Sequence, residues 1–342
     1  MSGANAKLLD RLLDGRSLEE AEAYDFMHAL AGGDIHPALA GALLAALRAK
    51  GETADEIRGF ATAMRELALH PLVPPGAAIV DTVGTGGDGS GSFNLSTGAG
   101  LLAAACGARV VKHGNRSVSS RCGSADLLER LGMPLPLEEE AAMTCLDSLN
   151  FTFLFAPAYH PAMKMVAPVR GAMGVRTVFN LLGPLTNPAA PPYQLIGAFS
   201  QDAAKLMAET LAGMEIERAF VVHGEPGWDE ASPVGEFVLY DVRPGSVIAT
   251  VRDPESYGLQ RCQAGDLAGG DAEHNVRELR RVFCCEDRGA HRGALLMGTS
   301  LVLEVTGLAG DEMEGAAMAA DALDSGKAEA FLERFQAQFV AA

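Results

Sequence analysis

The chain has 342 residues, 48% of them apolar, and carries 27 basic against 44 acidic side chains for a net charge of −17. The length predicts one large domain with a smaller companion. The acidic balance excludes a general nucleic-acid or anionic-membrane surface but leaves room for a local basic pocket. Cys106, Cys122, Cys145, Cys262, Cys284 and Cys285 form no C-x-x-C pair and no zinc spacing, the N-terminus lacks a basic segment followed by an apolar core, and no window holds eighteen consecutive apolar residues. The expectation is a soluble cytoplasmic protein with free thiols, no signal peptide and no membrane span.

Residues 1 to about 70 read as helices. "SLEEAEAYDFMHAL" offers Ser17 and Glu20 as a capping box, "TADEIRGFATAMREL" offers Thr53 and Glu56, and "HPALAGALLAALRAK" carries apolar residues at helical spacing. Pro71, Pro74 and Pro75 mark a boundary. Beyond it, strand, turn and helix alternate: "AAIVDTV" as strand, "STGAGLLAAACG" as helix, "ARVVKH" as strand and "SADLLERLG" as helix. "FTFLFAP", "YQLIGAF", "RAFVVHG" and "GSVIATV" read as further strands, with "AKLMAETLAGM" a helix between them. "NVRELRRVF", "HRGALLMGTSLVLEVTG" and "KAEAFLERFQAQF" close the chain as helices. This alternation predicts an α/β fold with a mostly parallel central sheet flanked by helices. A smaller all-α domain is expected from residues 1–72, joined by a helical segment near 160–182, and residues 73–342 form the large α/β domain.

The stretch "DTVGTGGDGSGSFNLSTG" follows the first strand and holds Gly84, Gly86, Gly87, Gly89 and Gly91 in eight positions. Such density implies sharp bends or close approach to a ligand. Gly84, Gly86 and Gly89 satisfy G-x-G-x-x-G, yet the next strand ends in Lys112 and His113 rather than the ribose-binding acid of a dinucleotide fold. A P-loop fails for want of its lysine. There remain a purely structural turn and an anion nest, the latter made of glycine N–H groups and the helix start at "NLST", where Asn94, Ser96 and Thr97 supply short polar side chains. Asp88 then suits a sugar hydroxyl or a hydrated Mg²⁺. The second strand runs into "KHGNRSVSSRCGSAD", which crowds one βα connection with polar groups and should lie beside the first loop at the carboxyl end of the sheet.

Taken in order, "GTGGD", "NLST", "KHGNRSVSS", "GSAD", "HPAMK", "VRTVFNLLGPLTNP" and "GWDE" resemble the anthranilate phosphoribosyltransferase family over nearly the whole chain. The resemblance implies transfer of the 5-phosphoribosyl group from phosphoribosyl pyrophosphate to the amine of anthranilate, with release of pyrophosphate, in tryptophan biosynthesis. It also implies Mg²⁺ as cofactor and a homodimer formed through the N-terminal helices.

On that resemblance, Gly84, Gly87, Asp88, Ser92, Asn94, Leu95, Ser96 and Thr97 are expected on the phosphoribosyl pyrophosphate. Lys112, His113, Gly114, Asn115, Arg116, Ser117, Val118, Ser119 and Ser120 are expected to wrap its phosphates, with Ser124 closing the site. Ser92 stands where the family usually has threonine. Gly84, His113, Asn115 and Arg170 are expected on anthranilate, with Arg170 on its carboxylate; Arg176 is the rival for that carboxylate, though fixing its own segment is the preferred reading. Ser96, Asp229 and Glu230 are expected on Mg²⁺, although Trp228 and "ASPVGEF" depart from the family pattern around that pair.

No strong general base is nominated, because the aromatic amine is already unprotonated at neutral pH. Lys112 is expected to stabilise transition-state charge, and His113 to act mainly as a neutral hydrogen-bonding group. His160 is expected at the anthranilate entrance or hinge, and His223 near the acidic pair. A pyrimidine nucleoside phosphorylase of the same fold and a non-catalytic binding or regulatory member are the competing readings.

Overall fold

The computed structural model describes residues 2–74, 77–117 and 121–340, without the side chains of residues 2–6 and 340. Four helices come first: α1 (Ser2–Leu13), α2 (Glu20–Ala31), α3 (Pro37–Lys50) and α4 (Ala54–Glu66). The Thr53 box forms as expected, with Thr53 Oγ1 accepting from Glu56 N–H and Glu56 accepting from Thr53 N–H at 2.8 Å. The expected Ser17–Glu20 box is replaced by one two residues later. Glu19 is the cap of α2 and its N–H donates to Glu22 at 2.9 Å. The reason is that buried Glu56 reaches back to take the N–H of Leu18, which holds that turn outside the helix.

The α/β region then runs β1 (Ile79–Gly84), α5 (Leu95–Ala105), β2 (Arg109–Gly114), α6 (Ser124–Leu131), α7 (Glu139–Leu149) and β3 (Phe151–Phe155). The connection that follows contains α8 (Ala156–Tyr159), α9 (Met163–Met173) and α10 (Phe179–Leu182). Next are β4 (Tyr193–Gly197), α11 (Gln201–Ala212), β5 (Arg218–Gly224), β6 (Phe237–Arg243) and β7 (Ser246–Arg252). Helices α12 (Ala272–Phe283), α13 (Ala290–Val305), α14 (Glu312–Asp324) and α15 (Lys327–Val340) end the chain. No described helix is long and apolar enough to cross a membrane.

The strands form one seven-stranded sheet in the order β3-β2-β1-β4-β5-β6-β7. Strands β1 to β5 are parallel and β6 and β7 pair antiparallel. Strand β6, "FVLYDVR", is an addition to the strands expected from the sequence. From β1 the chain steps outward through β2 to β3, then returns to the other side of β1 as β4. That reversal opens a crevice beyond the carboxyl ends of β1 and β4, where ligands of open α/β sheets bind.

Alternation along the strands divides the core in two. Val80, Val110, Phe220 and Val222 pack with α5, α12, α13 and α15 on one face. Ile196, Ala219 and Val221 face α11 on the other, in an apolar cluster that continues into Leu43, Leu47 and Phe60 of the N-terminal helices and Val166, Val169 and Phe179 of the 160–182 segment. Helix α9 packs on α2 and α3, and α10 on α4. Phe60 is fully buried at this junction. Truncating such a ring to alanine costs about 3–5 kcal/mol, so the N-terminal helices and the 160–182 segment are held together by their core.

Candidate active site

The glycine loop leaves β1 at the crevice. Gly86, Gly87, Gly89 and Gly91 all have φ between +59° and +74°, a left-handed run that only glycine adopts at little cost. Among the described residues the N–H groups of Gly87, Asp88 and Gly89 have no hydrogen-bond acceptor, which leaves a row of donors available to an anion. Asp88 is turned into the loop: one carboxylate oxygen accepts from Ser90 N–H and Ser90 Oγ at 3.0 Å, the other from Asp229 N–H at 3.3 Å. Ser92 forms a bridge with Ala268, and Phe93 N–H donates to Leu267 O, so residues 267–269 brace the far end of the loop.

Helix α5 begins at Leu95, whose side chain is core. Asn94 holds the capping position but does not cap. Its amide donates to Cys122 O at 3.1 Å and accepts from Asn275 at 2.7 Å, tying both loops to α12. Ser96 N–H donates to Glu230 at 3.2 Å, and Thr97 is buried in the first turn.

Asp229 and Glu230 arrive from the loop after β5. Strand-end glycines Gly84 and Gly197, paired across β1 and β4, make room for them. A Cβ on Gly84 would lie 2.5 Å from Asp229 Oδ2, and one on Gly197 would lie 1.6 Å from the Asp229 carbonyl oxygen. Gly86 N–H donates to Asp229 Oδ2 at 2.5 Å, across 143 residues of sequence. Burial, with Asp88 close by, pushes the Asp229 carboxyl up to about 7. Burial and the adjacent Asp229 push Glu230 to about 8. Asp229 and Glu230 thus sit side by side near Asp88, with Lys112 close to the pair; their hard carboxylate oxygens are of the kind that hold a divalent cation, although among the described residues the three carboxylates do not converge on one point.

Lys112 is 2% exposed and lies beneath the loops. Its ammonium donates to Thr82 O and, at 3.3 Å, to Ser96 Oγ. Burial pulls its pKa down, opposed by Asp81, Glu230 and Asp229. Asp81, absent from the site residues expected from the sequence, is fully buried in mid-strand and pushed up to about 6 by burial. It accepts from His113 N–H at 3.2 Å and from Asn187 Nδ2 at 2.9 Å, and Asn187 also donates to Val111 O. The signal available was a lone aspartate inside "AAIVDTV", paired with the asparagine of "GPLTNP".

His113 is buried with its ring 5.1 Å from that of His160. Burial and the neighbouring His160 push its pKa down to about 3, so it is neutral and a weak base. His160 is buried too, and burial lowers its pKa. His223 Nδ1 lies 2.8 Å from Ala198 O, a contact that orients the ring at the end of β5.

Gly114 ends β2, and Asn115 O accepts from Ser124 Oγ at 3.2 Å and from Ala125 N–H. Asp126 accepts from Ser117 and Gly123 N–H groups. Arg116 is exposed and paired with Glu129 and Asp126, its guanidinium 5.6 Å from the Phe155 ring centroid, so in this structure it faces α6 rather than the glycine loop. Val118, Ser119 and Ser120, expected on the phosphates, lie outside the described residues.

Arg170, on α9, stacks over Phe179 at 5.2 Å, and burial lowers its pKa. No carboxylate pairs with it among the described residues. Arg176 donates to Gly87 O and stacks over Phe199 at 4.2 Å.

Family models match on both sides of the proline boundary: a glycosyl transferase family helical bundle domain over residues 6–68, and a glycosyl transferase family a/b domain over residues 76–329. The anthranilate phosphoribosyltransferase of Desulforudis audaxviator is 46% identical over 327 residues, spanning 95% of this chain and 94% of that protein. The chain belongs to the anthranilate phosphoribosyltransferase family. The solved family member from Thermus thermophilus matches with a TM-score of 0.90 at 44% identity, covering 97% of this chain and 99% of that one. The family member from Saccharomyces cerevisiae, solved in complex with PRPP and Mg, matches with a TM-score of 0.88 at 25% identity over 100% of this chain and 99% of that one.

Proposed function

We propose that this chain transfers the 5-phosphoribosyl group of phosphoribosyl pyrophosphate to the amine of anthranilate, releasing pyrophosphate. The observation that carries the reading is the meeting of Asp229 and Glu230 with the glycine loop at the reversal point of the sheet. The donor lies along the N–H groups of Gly87, Asp88 and Gly89 and the start of α5, with Ser92, Asn94 and Ser96 offering polar groups and Ser124 closing the second loop. Mg²⁺ fits the acidic pair beside Ser96 and, when bound, neutralises negative charge on the pyrophosphate.

Anthranilate sits against Gly84, His113 and Asn115, its carboxylate taken by Arg170 through two parallel hydrogen bonds. A half-buried guanidinium with no acidic partner among the described residues supports that assignment. Neutral His113 orients rather than deprotonates the amine, whose weak basicity leaves it unprotonated. Lys112 balances the buried acids and stabilises charge developing on the leaving group from below. The smaller unit consists of residues 1–72 with the 160–182 segment, and residues 73–342 otherwise form the larger one. The two substrates thus meet between units whose closure excludes water. Two chains pair through the N-terminal helices.

Anthranilate fluorescence tests the reading. It should fall only when protein, anthranilate, Mg²⁺ and phosphoribosyl pyrophosphate are all present, and turnover of uridine or thymidine with phosphate instead would overturn it. Replacing Asp229 by Asn and Glu230 by Gln together should raise the Mg²⁺ concentration for half-maximal rate at least about tenfold. An unchanged Mg²⁺ titration removes the pair from the metal site.

A further inference from the structure

The connection between α9 and α10 reaches the glycine loop through one side chain. Arg176 donates from Nη2 to the carbonyl of Gly87, and its guanidinium lies over Phe199, 4.2 Å from the ring centroid. Phe199 itself is held to the same loop, its N–H donating to Thr85 Oγ1 at 3.0 Å. On the other side, the Arg176 carbonyl accepts from Arg48 Nη1 of α3 at 2.7 Å. A continuous strap therefore runs from the N-terminal helices through Arg176 to the loop. The same segment carries Arg170.

We propose that Arg176 is a positioning residue that sets the glycine loop for the phosphoribosyl donor, using Phe199 as its shelf and Arg48 as its anchor. This rests on the donor reading of that loop. The physical reason lies in the peptide plane. A trans peptide carries its C=O and N–H on opposite sides, so holding the Gly87 carbonyl aims the Asp88 N–H away from Arg176. That N–H is one of the loop donors without an acceptor among the described residues. The left-handed glycines make the loop conformationally permissive, so an external hold on one carbonyl removes freedom the donor would otherwise have to restrict on binding.

The test compares Arg176→Ala, Arg176→Lys, Phe199→Leu and the Ala/Leu double variant with the parent. Steady-state constants are measured for both substrates, and phosphoribosyl pyrophosphate with Mg²⁺ is titrated against emission of the single tryptophan, Trp228, which is buried next to Asp229. Arg176→Ala should raise KM for phosphoribosyl pyrophosphate about tenfold, with KM for anthranilate within about twofold and kcat within about threefold. Phe199→Leu should give about a threefold rise that disappears in the Arg176→Ala background, and Arg176→Lys should recover part of the loss. A donor KM that stays within about twofold in Arg176→Ala, an equal rise for anthranilate, or additive effects of the two substitutions overturns the proposal. A donor titration silent in the parent as well removes the donor reading and the proposal with it. A parent signal kept unchanged in Arg176→Ala overturns the proposal alone.

Discussion

Arg170 and the two buried histidines show how burial sets chemistry at single positions. Arg170 gives up hydration without gaining a carboxylate among the described residues, so its charge is available to one from a ligand. Replacing it by alanine should raise KM for anthranilate about ten- to hundredfold, the worth of a charge-assisted bidentate contact, and leave that for phosphoribosyl pyrophosphate within about threefold. Equal loss for both substrates in steady-state kinetics would refute the division of the site. His113 and His160 are depressed below the ordinary histidine range, so the unfolded chain binds protons that the folded chain refuses. Their contribution to stability is present above the ordinary histidine pKa of about 6.5 and is lost as pH falls toward their folded values. Asp81, Asp229 and Glu230, raised by burial, act in the opposite sense over the same range, so the histidine share is read as a difference. Between pH 8 and pH 4.5 the urea midpoint of His160→Asn should gain on that of the parent toward the acid side, and a constant difference would show that His160 does not contribute.

Gly84 and Gly197 matter because strands β1 and β4 end where the loop after β5 must pass. The two close approaches differ in kind. At Gly84 an added Cβ meets a carboxylate that can rotate, whereas at Gly197 it meets a backbone carbonyl that cannot move without its loop. Gly197→Ala should lower stability by about 1–3 kcal/mol, whereas Gly84→Ala should chiefly weaken the response to Mg²⁺. Chemical denaturation beside Mg²⁺ titration distinguishes them, and the reverse ranking would contradict the geometry. At this scale much was legible in advance. Thr53 and Glu56 form their box because both lie within one turn of the same helix. Ser17 and Glu20 carry the same local signal and lose to a contact 38 residues away, from Glu56 to Leu18 N–H. Arg116 likewise pairs with Glu129 across a loop whose course no local pattern encodes.

Across the whole molecule, the 160–182 segment leaves the sheet to pack on α2, α3 and α4, which brings Arg176 to the glycine loop. Leu13, at the end of α1, is 68% exposed, an apolar side chain on the helices assigned to the dimer. Sedimentation equilibrium should return the mass of two chains, and Leu13→Asp should shift it toward one; a monomeric parent would end the dimer reading. The amino-acid sequence by itself determined the existence and type of most elements, because period and capping are properties of neighbours along the chain. It also marked the glycine loop, since the run of glycines announces backbone that other residues resist. Only the tertiary structure decided that Asp229 stands against Gly86, that Asp81 and Asn187 form a buried network, and that Lys112 lies under the loops rather than on them. Those outcomes follow from strand order, which places β4 beside β1 and β5 beside β4, and the order of parallel strands is set by long crossovers and shared cores rather than by any local pattern.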